Sequence, residues 1–227
     1  MYSQLIYLLV VLVLFTLQQP GAQPLFPPWE TFLLVLSVLL VFALVCHWST
    51  RRLNRAIWHL PQTVLTRQYH RIQARLSILA VGFVAVDIYV LNIKFYLQAI
   101  PGFDESLTFS GIAGIGLFLL HLGVVWLWSH PAYKKLYHSN ITLPAFLQSQ
   151  LAFISAILIP WFLISIVSDV LQFVKLPLFF NTEAGQFVLI GILLLSFVLF
   201  APFLVVRLWG CKPLPEGRTK GELQRFC

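Results

Sequence analysis

Long apolar runs alternate with short polar intervals along this chain, and the runs set its architecture. Six stretches are mostly apolar: Tyr2 to Leu17, Trp29 to Ser49, Leu76 to Leu97, Phe109 to Ser129, Ala145 to Leu171 and Gln186 to Trp209. Crossing a bilayer takes about 20 such residues, because only a helix of that length satisfies every backbone N–H and C=O inside hydrocarbon. The pattern predicts an all-α, polytopic integral membrane bundle of about six transmembrane helices, with loops too short to hold a soluble domain between them.

The polar intervals differ in kind. "QQPGAQPLFPP" is uncharged and Pro-rich, enough to turn the chain. The interval from Thr50 to Arg75 carries Arg51, Arg52, Arg55, Arg67, Arg71 and Arg75, interleaved with Trp58, Leu60, Val64 and Leu65 and divided by Pro61. It reads either as an interfacial segment, with Arg side chains at lipid phosphates and apolar ones at the acyl boundary, or as an ordinary basic loop. "VVWLWSHP" and "VVRLWGCKP" echo one another, and each is expected to end a helix with Trp anchors and a chain-breaking Pro. Residues 211–227 form a charged tail.

Composition agrees with the pattern: 59% of residues are hydrophobic and 10% charged, against roughly 25% charged in soluble domains. The net charge of +7 follows topology. Thirteen of the fifteen basic residues fall in intervals on one side of a six-span arrangement; Glu30, Asp104, Glu105 and Glu183 lie on the other with Lys175. Positive residues stay inside, so both termini are expected in the cytoplasm, and the basic side is expected to meet anionic lipid headgroups rather than nucleic acid.

The first run lacks a basic flank and "QQPGAQP" is a weak cleavage site, which favours a retained short helix over a signal peptide; cleavage would leave the remaining topology unchanged. Cys46, Cys211 and Cys227 are odd in number, without a C-x-x-C, and read as free thiols.

Candidate chemistry is sparse. In "VDIYVLNIKFY", Asp87 and Lys94 are seven residues apart, about 10 Å along a helix axis and too far for a direct pair. Lys94 can snorkel to the outer interface, whereas Asp87 lies near the middle of its run and needs a partner, with His121, Gln148 and Gln150 as candidates. Asp87, Asn92, Lys94, His121 and Asp169 are the intramembrane polar candidates. For Asp87 a proton relay or ion site competes with a packing hydrogen bond; Asp169, beside Ser165 and Ser168, reads as an interfacial cap. Pro160 and Pro202 should kink their helices, and Ser110 and Gly114 in "SGIAGIG" permit close helix approach.

No two of the six His stand four apart, and no H-E-x-x-H, G-x-S-x-G or phosphate loop occurs. The sequence therefore offers no catalytic and no metal-ligating residue of its own.

The tail adds a different signal. In "PLPEGRTKGELQRFC", Thr219 and Glu222 have capping-box spacing, and Leu223 and Phe226 give the following turn an apolar edge. "LWGCKPLPEG" followed by this turn, with "TRQYHRIQARLSILAVGFVAVDIYVLNIKFYLQ" upstream, resembles the membrane zinc metallopeptidases of the CAAX prenyl endopeptidase and HtpX group. The resemblance implies the N-terminal membrane anchor of such a peptidase in a bacterial inner membrane. Zinc, its ligands and the peptide substrate would belong to a domain downstream of Cys227. A second reading takes the chain as a complete small carrier or scaffold subunit using Asp87, Asn92 and His121. A carrier should have a polar cavity between the third, fourth and fifth helices, and a scaffold dry packing there.

Overall fold

In a computed structural model of the protein, the described residues are 2–18, 26–56, 61–103 and 106–173, with Gly185, Val188, Gly191, Ile192, Leu195 and Val206. They are helical throughout apart from short turns. The elements are α1 (Tyr2–Leu17), α2 (Pro28–Ala56), α3 (Gln62–Tyr89), α4 (Ile93–Leu97), α5 (Leu107–Leu136) and α6 (Leu143–Phe173). Apart from its isolated helical residues, the sixth expected helix at 186–209 lies outside the described residues. So do the tail 211–227, Trp58 and Leu60, Pro202, and Asp104, Glu105, Lys175 and Glu183. Among the described helices, α2, α3 and α5 are long and apolar enough to cross a membrane, and Ile6–Leu17 and Trp161–Val170 are shorter apolar stretches.

α5 is the central helix, packed against α1, α2, α3 and α6. Its sequence explains why. Gly111, Ile115, Phe118, Leu122, Val125, Ser129, Ala132 and Leu136 are all buried, and they recur in alternating steps of four and three. That 3.5-residue spacing lets a seam follow neighbouring helices along its whole length. Two glycines bring neighbours onto the α5 backbone: a Cβ at Gly111 would lie 1.7 Å from the Trp161 indole of α6, and one at Gly114 would lie 3.0 Å from the Phe15 ring of α1. The close approach expected at Ser110 and Gly114 thus occurs at Gly111 and Gly114.

Three boundaries differ from the sequence reading. Much of the basic interval is helical: α2 continues to Ala56 and α3 begins at Gln62, after Pro61, so the arginines decorate helix ends. A second apolar cluster, Leu53, Leu65, Tyr69, Ala132 and Leu136, fastens those ends together; of the interleaved apolar residues Leu65 joins it, and Val64 stays exposed. Pro131 does not end α5, which runs through it to Leu136; Ala132 and Leu136 belong to the same cluster, and the Gln62 amide donates to the Leu136 carbonyl at 3.2 Å. Finally, the expected helix Leu76 to Leu97 starts earlier and is broken. Asn92 takes a left-handed conformation, φ 49°, which Asn tolerates better than most residues. Lys94 therefore sits on the separate short helix α4.

Candidate functional site

Asp87 falls on the inward seam of α3 and His121 on that of α5, where apolar residues would ordinarily pack. Both side chains are 0% exposed, and Asp87 Oδ2 stands 3.6 Å from His121 Nε2. Val84 and Ile88 lie one turn or less from Asp87 and Phe118 and Leu122 beside His121, all buried in the main core. The Phe42 ring of α2 lies tilted 5.4 Å from the imidazole and 5.0 Å from Phe83. Of the three partners considered for Asp87, the structure brings up His121; Gln148 is exposed and Gln150 lines a cavity elsewhere.

The hydrogen bonding of the pair is incomplete. His121 Nδ1 lies 3.0 Å from the Leu117 carbonyl; a carbonyl only accepts, so Nδ1 carries a hydrogen and Nε2 faces the carboxyl group. Neither Asp87 oxygen nor His121 Nε2 has a hydrogen-bond partner among the described residues. One proton between Oδ2 and Nε2 gives either a neutral acid beside a neutral imidazole or a carboxylate beside an imidazolium. Both arrangements have zero net charge, and either adding or removing a proton leaves a net charge in hydrocarbon, which is costly.

The remaining polar candidates form helix caps. Lys94 Nζ donates to the Phe15 carbonyl at 2.9 Å and the Gln18 carbonyl at 2.7 Å, placing a cation at the C-terminal end of α1. Gln18 Nε2 donates to Asn92 Oδ1 and to the Ile88 carbonyl, each at 2.7 Å, so Asn92 and Lys94 together tie α1 to the α3–α4 break. At the start of α5, Asp169 of α6 accepts from Ser106 Oγ and from the Leu107 and Thr108 backbone N–H groups.

The basic end carries Arg51, Arg52 and Arg55 on α2, Arg67, Arg71 and Arg75 on α3, and Lys134 and Lys135 on α5, all exposed. Arg67, Arg71 and Arg75 share one face of α3 at four-residue spacing, and the Arg52 guanidinium lies 4.3 Å from the Trp48 ring centroid.

A feature whose lining residues, Gln150 apart, the sequence reading did not single out lies at the same end. A cavity of about 690 Å³ opens between α3, α5 and α6, the third, fourth and fifth of the expected spans. α3 contributes Tyr69, His70, Gln73 and Ser77 to its wall; Tyr133 and Tyr137 come from α5 and its cap, and Gln150 and Phe153 from α6. The available signal was a polar stripe at helical spacing, Tyr69 and Gln73 in the interval read as surface and Ser77 just inside the apolar run that follows it. Ser77 and Asp87 are ten residues apart on α3, about 15 Å along its axis, so the cavity ends well short of the buried pair.

Among the described residues no group of three or more His, Cys, Asp or Glu could hold a metal ion. The resemblance places zinc and its ligands downstream of Cys227; of the passages that carry it, 66–98 falls largely in α3 and α4 and the tail lies outside the described residues. Comparison of the chain with protein-family models, curated sequences and solved structures gives no match.

Proposed function

We propose that this chain is a proton-translocating membrane carrier of six spans with both termini in the cytoplasm, in which Asp87 and His121 hold and pass on the proton. The observation that carries this reading is the 3.6 Å approach of Asp87 Oδ2 to His121 Nε2, with both groups wholly buried and lacking hydrogen bonds between them. A purely structural pair would be expected to close into a hydrogen bond, because a buried carboxyl left without one costs stability. An open pair can change its proton count when a helix moves. The polar cavity between α3, α5 and α6 supports a carrier over a dry scaffold. The arginine-bearing end, facing inward, would rest against anionic headgroups.

The test is proton entry into proteoliposomes loaded with a pH-sensitive dye, driven by an imposed potential. The wild-type chain should acidify the lumen and Asp87→Asn should not. Equal, leak-level rates for both would sink the reading. The membrane-anchor role in a zinc peptidase rests on the tail and the passage 66–98 and has a separate test: an open frame encoding H-E-x-x-H past the codon for Cys227 would support it.

A further inference from the structure

The cavity between α3, α5 and α6 has a chemistry of its own. At about 690 Å³ it falls within the range of small-molecule sites, roughly 300–1,000 Å³. Among the described residues that line it there is no Asp, Glu, Lys or Arg. A cation or a phosphate would give up its hydration there without meeting a fixed opposite charge, which is unfavourable. A polyol would find few carboxylate-like acceptors for its hydroxyls.

The walls offer flat surfaces and donors instead. Tyr69 of α3 and Tyr133 of α5 approach each other with ring centroids 6.3 Å apart, and Phe153 of α6 lines the same space. Gln73 and Gln150, on different helices, line it with side-chain amides that make no hydrogen bond among the described residues. Each amide has two N–H donors. At the rim, His70 Nε2 and Tyr137 Oη lie 3.2 Å apart, so those two groups are already engaged.

We propose that this cavity binds an uncharged planar ring bearing carbonyl groups, a compound of the quinone class, with its faces against the aromatic walls and its carbonyl oxygens accepting from Gln73 and Gln150. Aromatic side chains favour offset or edge contact with a flat ring, and two amides on separate helices can meet carbonyls at opposite ends of it. The proposal stands on the cavity alone and does not need the Asp87–His121 pair to move protons.

The experiment is equilibrium dialysis of the full chain in phosphatidylcholine nanodiscs against duroquinone, a fully substituted benzoquinone that does not arylate thiols. Empty nanodiscs supply the partition background. The wild-type chain should show one saturable site above that background. Gln150→Glu, close in size but without the amide donors, and Gln73→Leu should each weaken binding about tenfold, the loss of roughly 1.4 kcal/mol. Helical circular dichroism and monodispersity identify a variant that has not folded, and with two variants on different helices one folded case suffices. Asp87→Asn should bind as wild type, so failure of the carrier reading and failure of this one are distinguishable. Uptake no greater than the background, or saturable binding that neither glutamine substitution weakens, would overturn the proposal. So would displacement of duroquinone by inorganic phosphate or by octyl glucoside at equal concentration.

Discussion

Asp169 Oδ2 on α6 lies 2.6 Å from Ser106 Oγ at the start of α5, and the same carboxylate accepts from the Leu107 and Thr108 N–H groups at 2.8 and 3.1 Å. Ser106 is itself the N-cap and accepts from the Phe109 N–H at 3.1 Å. The central helix therefore has one cap from its own chain segment and a second, anionic one supplied by a neighbour. Helix N-termini favour both acceptors and negative charge. Asp169→Ala should lower stability by about 1–2 kcal/mol, and Asp169→Asn, which keeps an acceptor oxygen, by less. Thermal unfolding in detergent measures the difference.

The buried pair should be strongly coupled. Asp87→Leu or His121→Leu leaves one polar group buried without its counterpart, at a cost of about 3 kcal/mol or more. The double variant Asp87→Leu/His121→Leu should recover most of that loss, because two apolar side chains can replace a buried pair with little penalty. A double-mutant cycle of unfolding free energies reads the coupling, and strict additivity would mean that the two groups do not interact.

Glycine positions on α5 should sort by what a methyl group would strike. Gly111→Ala drives a Cβ into the Trp161 indole and should cost about 1–3 kcal/mol, the usual range for overpacking. Gly114→Ala brings a Cβ to 3.0 Å from the Phe15 ring, inside ordinary van der Waals contact, so the ring must shift by a few tenths of an ångström, and it should cost less than Gly111→Ala. Gly116→Ala meets nothing within 4 Å and should be neutral or slightly stabilising, since Ala favours the helix. Thermal shifts of the three variants in one detergent give the order.

Orientation can be read from two single cysteines in a chain with Cys46, Cys211 and Cys227 replaced by alanine. Arg67→Cys should react with a membrane-impermeant maleimide only from the cytoplasmic side, and Leu107→Cys, at the exposed start of α5, only from the other. Labelling of both from one side would refute a membrane-crossing α5, and the reverse assignment would refute cytoplasmic termini.

The helices were legible because hydrocarbon demands long apolar runs, and Asp87 and His121 stood out because nothing else polar interrupts theirs so deeply. Boundaries were harder. The start of α3 at Gln62 escaped notice because its first turns mix arginines with Leu65 and Tyr69, a half-buried pattern that hydropathy averages into a loop. The break at Asn92 depends on one residue's tolerance for positive φ. Lys94 looked like an outward-reaching base, and its real partners, the carbonyls of Phe15 and Gln18, belong to a run remote in sequence. The lining of the cavity was hidden for a related reason: α3 supplies four polar groups and α5 with its cap and α6 two each, and their convergence is tertiary.

The separation of Asp87 and His121 between α3 and α5 bears on how the chain enters the bilayer. α3 is the least apolar of the three membrane-length helices, and it carries a carboxyl group into lipid before the ribosome has made the imidazole that faces it. Until α5 emerges, α3 has a reason to linger at the insertion machinery or to slip back toward water. Because α5 also gathers α1, α2 and α6, its arrival would complete the proton-sharing pair and the bundle in one step. A nascent chain stopped before α5 would then be the stage most exposed to quality-control proteolysis.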